Sequence, residues 1–159
     1  MSKPAGQRYT VAVDFDGVLH SYTSPWKNAR TIPDPPVEGA IAWLAEISEK
    51  FDVAIFTTRN HHWFGRWAVK AWLRRHLWDH FWPWVNENVR DVWTHMDIDD
   101  HADILAREVL ARCSFPSHKP AALIYLDDRA VRFEGPGTFP TAEQIHALRP
   151  WNKPKRAGS

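Results

Sequence analysis

The sequence predicts an α/β fold, a Rossmann-like three-layer sandwich in which helices cover a mainly parallel sheet. Three short apolar runs, rich in β-branched and aromatic residues, have the composition of strands that are buried on both faces. Segments with apolar residues at helical spacing separate these runs, and such alternation is typical of parallel sheets. The length of 159 residues suits one domain, which we expect to extend from residue 1 to about residue 150.

The first half of the chain supplies two strands and two helices. Residues 9–15 are predicted to form the first strand, and the proline-containing segment after them is predicted to be a loop. In "PPVEGAIAWLAEISEKF" the apolar residues recur at helical spacing, and the two prolines suit the start of a helix. "FDVAIFTT" is the second strand. Asn60 is a candidate cap for a helix through "HHWFGRWAVKAWLRRHL".

The second half is less regular in its pattern. The Trp-rich stretch at about 79–103 fits no clean period, so we expect an irregular insertion over one end of the sheet. "ADILAREVLARC" is predicted to be a helix that leads into a short strand near residues 113–115. "PAALIYLDD" is the third long strand. Residues 151–159, rich in proline and lysine, are expected to form a flexible tail.

Composition and charge indicate a cytoplasmic protein. The formal net charge of +1 gives no strong field that would attract a membrane or a long nucleic acid. A single cysteine, Cys113, excludes an internal disulfide and suits a reducing compartment. The polar N-terminal residues do not resemble a signal peptide, and no apolar run approaches the roughly 20 residues that cross a bilayer.

Polar side chains follow each of the three long predicted strands. The strands end in three short polar sequences: Asp14-Phe15-Asp16-Gly17, Thr57-Thr58-Arg59 and Asp127-Asp128-Arg129. Ligands of open parallel sheets bind at the carboxyl ends of the strands, so we expect these groups to meet. Carboxylates that meet repel one another unless a cation lies between them. The pattern therefore predicts a metal site, and Mg²⁺ is the ion that best matches carboxylates gathered from separate strands.

The chemistry that such a site supports is phosphoryl transfer to an aspartate. The metal and a lysine, for which Lys119 is the candidate, would neutralise a phosphate so that an anionic carboxylate could approach phosphorus. One aspartate would attack, and a second would protonate the leaving oxygen and later activate water. A hydroxyl such as that of Thr57 would hold a phosphate oxygen; its neighbour Thr58 is the alternative.

Four motifs resemble those of the haloacid dehalogenase-like (HAD) superfamily of phosphohydrolases: "DFDGV", "IFTTR", "HKP" and "IYLDDR", in this order. The resemblance implies that Asp14 is the nucleophile and Asp16 the general acid/base, with Thr57 and Lys119 binding phosphate. It also implies a set of Mg²⁺ ligands: Asp14, Asp16, Asp127 and Asp128. The second aspartate of the first motif occurs in superfamily members that act on phosphate esters, so the resemblance implies a phosphatase rather than a dehalogenase.

The resemblance covers roughly residues 9–59 and 111–152. Over these residues the chain is similar to small HAD-like proteins of phages and bacteria. The gaps between motifs are too short for a large cap domain, which implies an open site. "DDR" in the fourth motif resembles the phosphatase domain of polynucleotide kinase. The implied substrate is a phosphorylated small molecule, such as a nucleotide, or a phosphorylated nucleic-acid end. Arg59 and Arg129 could contact it, or could serve only to cap the sheet edge and to pair with carboxylates.

Tryptophan is unusually abundant, with ten residues, seven of them between Trp63 and Trp93. Large aromatic side chains of this kind either fill a core or form a surface on which bases stack. The second possibility gives an alternative function, a non-catalytic HAD-fold module that uses the Trp-rich segment to bind protein or nucleic acid. The intact pair of aspartates and the lysine argue against it, because a binding module has no need of them.

Overall fold

Four parallel strands form one sheet in the computed structural model, which describes residues 8–89, 95–132, 134–148 and 151–152. The strands are β1 (Thr10–Val13), β2 (Asp52–Ile55), β3 (Cys113–Ser114) and β4 (Ile124–Leu126). They lie in the order β3-β2-β1-β4, and every pair is parallel. The predicted α/β class with a mainly parallel sheet is therefore confirmed for the described residues.

The order of the strands places a topological switch point beside β1. The chain passes from β1 to β2 and on to β3 in one direction, and then returns to the other side of β1 to form β4. Val11 of β1 lies opposite Val53 of β2 and also opposite Ile124 of β4. Parallel pairing brings the carboxyl ends of β1 and β4 together at the point where ligands of such sheets bind.

The helices are α1 (Ala40–Lys50), α2 (Trp63–Val89), α3 (His95–Ala111) and α4 (Ala142–Ala147), and a 3₁₀ turn (Thr58–His61) precedes α2. Helices α1, α2 and α3 share one apolar core with β1 and β2, whose last three residues are all buried. Since successive strand residues point to opposite faces, β1 and β2 are covered on both sides. The prediction of a buried strand is wrong for β4, whose three residues are all exposed. None of the described helices combines the length and the apolarity that a bilayer crossing requires.

The prediction of irregular structure at 79–103 is wrong for the described residues 79–89 and 95–103. Helix α2 continues past Pro83 to Val89, and α3 begins at His95. The two helices pack on each other through a second apolar cluster of three buried residues, namely Val85, Ile98 and Ala102. The helix continues because this packing stabilises it by more than the hydrogen bond lost at Pro83 costs. The sequence pattern does not reveal this, because the stabilising contacts are tertiary.

The tryptophans divide between core and surface. Trp72 is buried and meets the ring of Phe15 edge to face, with centroids 5.1 Å apart. Trp63, Trp67 and Trp84 are exposed. Both interpretations of the tryptophan content therefore remain open, because each accounts for some of the residues.

The first two residues of the predicted tail, Trp151 and Asn152, form hydrogen bonds to the segment after β1. The indole Nε1 of Trp151 donates to the carbonyl of Gly17 at 2.7 Å. The amide of Asn152 donates to the carbonyls of Ser21 and Tyr22 at 2.8 and 3.1 Å. These bonds tie the C-terminal segment to the loop that follows β1; residues 153–159 of the predicted tail lie outside the described residues.

Candidate active site

A cluster of three carboxylates lies at the switch point. Asp14 directly follows β1, and Asp127 and Asp128 directly follow β4. The backbone N–H of Asp14 donates to the carbonyl of Leu126 at 2.8 Å, which fixes the two strand ends side by side. One carboxylate oxygen from each aspartate lies within 4.8 Å of the others. The structure thus brings together three of the four carboxylates that the sequence predicts as metal ligands.

Burial and mutual repulsion perturb two of these carboxylates. The pKa of Asp14 is raised to about 7, chiefly by burial and also by the negative charges of Asp127, Asp16 and Asp128. The N–H of Phe15, which donates to Asp14 Oδ1 at 2.7 Å, opposes this rise. Burial also raises the pKa of Asp128, and nearby Arg129 only partly opposes this. A bound cation would favour the charged form of both groups.

The carboxylate of Asp128 is buried without a hydrogen-bond partner. Its side chain is 1% exposed, and neither carboxylate oxygen has a hydrogen bond among the described residues. Arg129 Nε is 3.7 Å from Asp128 Oδ1, too far for a hydrogen bond. A Cβ at position 17 would lie 2.5 Å from Asp128 Oδ2, so only glycine leaves room for this carboxylate. Burying a carboxylate that accepts no hydrogen bond is costly unless nearby positive charge compensates it. The all-oxygen donor set of the three aspartates fits a hard divalent ion such as Mg²⁺.

Mg²⁺ is expected to raise the melting temperature of the wild-type protein by about 5 °C or more at saturation, because a ligand that binds only the folded state stabilises it. In Asp128→Asn the shift should be small, since one donor is lost, and the metal-free variant should melt no lower than the metal-free wild type because one repulsive charge is gone. Scanning calorimetry with and without EDTA measures both effects. Asp100→Asn, at an exposed position on α3, should retain the full shift; a full shift in Asp128→Asn would contradict the site.

The carboxylate of Asp16 faces a different set of partners. Arg59 donates from Nε to Asp16 Oδ2 at 2.8 Å and from Nη2 to Oδ1 at 3.0 Å. Buried His20 places Nδ1 2.9 Å from Oδ1, and its Nε2 accepts the backbone N–H of Asp34, so Nδ1 is the donor. Burial favours a raised pKa for Asp16, but the hydrogen bonds from His20 and Arg59 outweigh burial and hold the pKa below its usual value.

Arg59 holds the loop after β1 over the site. Its side chain is 1% exposed, and Nη1 donates to three loop carbonyls, those of Asn28, Ala29 and Thr31, at 3.1–3.2 Å. The guanidinium also lies 4.5 Å from the ring centroid of Trp26. Arg59 is not among the described residues that line the adjacent cavity. The geometry therefore favours a positioning role for Arg59 over the substrate contact that the sequence left open.

An open cavity of about 360 Å³ lies over the carboxylates. Its lining comprises acidic, hydroxyl, aromatic and basic side chains: Asp14, Asp16, Tyr22, Trp26, Phe56, Thr57, Thr58, His61, Asp127 and Arg129. Both threonines line it, so the choice between Thr57 and Thr58 as the phosphate-binding hydroxyl stays open. Thr57 Oγ1 accepts the backbone N–H of Arg59 at 3.3 Å and caps the 3₁₀ turn. Arg129 also lines the cavity, and its side chain is half exposed, so a bound substrate could contact it.

Lys119 lies away from the cavity lining. It is exposed, and its ammonium group is 4.5 Å from the ring centroid of Tyr125. It is not one of the described residues that line the cavity, so its predicted contact with phosphate stays a prediction. The basic side chains that do line the cavity are Arg129 and His61.

Sequence reasoning missed several residues of the site. Tyr22 and Trp26 come from the loop after β1, and His61 comes from the turn before α2. His20 is buried beneath Asp16. The sequence signal for these four residues is that each lies within about ten positions of a predicted site residue. No sequence pattern indicates which way a loop side chain points.

Comparison of the chain with family models, with curated proteins and with solved structures finds no match. The resemblance to the HAD superfamily therefore stays a prediction that rests on the sequence. The structure shows that the first and fourth of the quoted motifs lie at the switch point of a parallel sheet.

Proposed function

We propose that the protein is a Mg²⁺-dependent phosphomonoester hydrolase of the HAD type, acting through an aspartyl-phosphate on Asp14. The observation that carries the proposal is the carboxylate cluster, in which the buried oxygens of Asp128 accept no hydrogen bond from the described residues and the pKa of Asp14 is raised to about 7. A cluster built in this way at a switch point, beneath an open cavity, has the donor set for a metal and the room for a substrate.

In this proposal Asp14 attacks the substrate. Its ionised carboxylate forms a bond to phosphorus while the bond to the leaving alkoxide breaks, and water then hydrolyses the aspartyl-phosphate to release inorganic phosphate. Asp14, Asp127 and Asp128 would hold the metal ion. When bound, Mg²⁺ supplies positive charge that offsets the carboxylates and the incoming phosphate. Thr57 or Thr58 and Arg129 would orient the phosphate oxygens, because all three residues line the same cavity.

Asp16 would handle the protons. Its depressed pKa suits the second half-reaction, in which an ionised carboxylate accepts a proton from the attacking water. In the first half-reaction Asp16 must donate a proton to the leaving oxygen. His20 and Arg59 Nη2 both donate to Oδ1, whereas Oδ2 accepts only from Arg59 Nε and keeps a second lone pair, so Oδ2 is the oxygen that would carry this proton.

Phosphate release from a generic aryl phosphate is expected to require a divalent ion. EDTA should lower the rate at least about 100-fold, and excess Mg²⁺ should restore it, because three clustered carboxylates would otherwise repel the substrate anion. If the aryl ester is not cleaved, nucleotides and oligonucleotides with 3′- or 5′-phosphates replace it in the same assay. Release that persists in EDTA, or no release from any of these esters, would overturn the proposal.

A further inference from the structure

A second cavity opens directly beside the first. Its volume is about 560 Å³, and three residues, Trp26, Thr58 and His61, line both cavities. The remaining lining residues are Lys27, Asn28, Ala29, His62 and Phe64. We call this second cavity the aromatic pocket. The aromatic pocket and the cavity over Asp14 adjoin each other along these three shared residues. A phosphate ester bound in the cavity over Asp14 can therefore extend its leaving group into the aromatic pocket.

The aromatic side chains of this pocket are held in place. Trp26 is 48% exposed, yet the Arg59 guanidinium lies 4.5 Å from its ring centroid, and Arg59 is itself bound to Asp16. The rings of His62 and Phe64 stack with centroids 5.1 Å apart and planes within 8° of each other. Fixed aromatic surfaces of this kind bind flat rings at low entropic cost, which is how proteins hold the bases of single-stranded nucleic acids.

The charge of the aromatic pocket is the opposite of that of the carboxylate cluster. Lys27 and two histidines line it, and none of its described lining residues is acidic. A leaving group with a flat ring matches the aromatic rings of this surface, and the further phosphate of a nucleic-acid strand would also match Lys27. A nucleotide supplies the ring, whereas a sugar phosphate without a base has no ring to stack.

We propose that the aromatic pocket binds the nucleobase of the substrate against Trp26, so that the ester hydrolysed at Asp14 is that of a nucleotide, either free or at the end of a single strand. This inference rests on the proposed function. Hydrolysis breaks the bond between phosphorus and the nucleoside oxygen, and water supplies the atoms that yield a nucleoside hydroxyl and inorganic phosphate. Trp26 is thereby a specificity residue that links substrate choice to the Asp16–Arg59 pair.

The test compares esters that differ only in the base. Uridine 5′-monophosphate is paired with ribose 5-phosphate, and a short 3′-phosphorylated oligonucleotide is paired with the same strand carrying an abasic terminal residue. The wild type is expected to cleave the base-bearing member of a pair with a kcat/KM about tenfold higher or more. Trp26→Ala should lose most of this preference, chiefly through KM, and Trp26→Phe should keep a large part of it. A preference within the uridine pair identifies a free nucleotide as the substrate, and a preference within the oligonucleotide pair identifies a strand end.

Trp84→Ala is the matched control, because Trp84 is an exposed tryptophan 20 residues beyond Phe64 on α2, about 30 Å along the helix. It should keep the wild-type preference. Equal cleavage of both members of each pair by the wild type, or an equal loss on both in Trp26→Ala, would refute the pocket while leaving the phosphatase intact. If no ester is cleaved, the proposed function fails instead. Fluorescence anisotropy of a dye-labelled phosphorylated oligonucleotide then decides the pocket, which predicts weaker binding to Trp26→Ala than to Trp84→Ala.

Discussion

Asp14→Asn is expected to lower phosphate release by at least about 10⁴-fold, because removal of a nucleophile abolishes the covalent step and leaves only the contribution of binding and orientation. The substitution keeps the size of the side chain. It also removes one of three crowded carboxylates, whose repulsion contributes to the raised pKa of Asp14, so the variant should fold at least as stably as the wild type. Phosphate release under Mg²⁺ and the melting temperature are the two measurements.

Asp52→Asn is the matched control for this substitution. Asp52 begins β2 and so lies at the amino end of the sheet, opposite the cluster, where it is exposed and its carboxylate is 3.8 Å from Arg8. Phosphate release by Asp52→Asn should stay within about twofold of wild type, because most substitutions at the surface have small effects. Rapid acid quenching followed by mass spectrometry should detect a phosphoryl group on Asp14 of the wild type only. An Asp14→Asn variant with near wild-type turnover would reassign the nucleophile.

The carboxylate cluster can be predicted from the sequence because its three aspartates directly follow strands. Once β1 and β4 are recognised as neighbouring parallel strands, Asp14 and Asp127 must lie at the same edge of the sheet, whatever the rest of the chain does. Apolar runs with β-branched residues are local signals, and their polar terminal residues are part of the same signal. This is why three predicted ligands come together without any knowledge of side-chain contacts.

The parts that sequence reasoning could not supply depend on long-range contacts. Arg59 is an arginine at the end of a strand, and nothing in its neighbours shows that its guanidinium is buried against Asp16, 43 residues earlier in the chain. Pro83 has the local signal of a helix break, yet the packing of α2 on α3 carries the helix through it. In both cases tertiary structure determines the outcome, and the local pattern is a weak guide.

Arg59→Met is expected to destabilise the fold by about 3–5 kcal/mol, the usual cost of removing one partner of a buried ion pair. The change leaves the Asp16 carboxylate without its bidentate donor and leaves the carbonyls of Asn28, Ala29 and Thr31 without the Nη1 donor they share. Methionine fills much of the same volume, so the loss is one of charge and hydrogen bonds rather than of packing. Chemical denaturation of the metal-free protein measures the change in the free energy of unfolding.

Arg74→Met provides a control with the same local geometry on the surface. Arg74 also donates two hydrogen bonds to one carboxylate, that of Asp103, at 2.7 and 2.8 Å, but its side chain is 47% exposed. Solvent screens that pair, so its loss should cost no more than about 1 kcal/mol. Adding Asp16→Asn to Arg59→Met should recover part of the stability, because the uncompensated buried charge is then gone. If Arg59→Met and Arg74→Met were equally mild, Arg59 would not be what fixes the loop and Trp26 over the site, and the rigidity of the aromatic pocket would need another source.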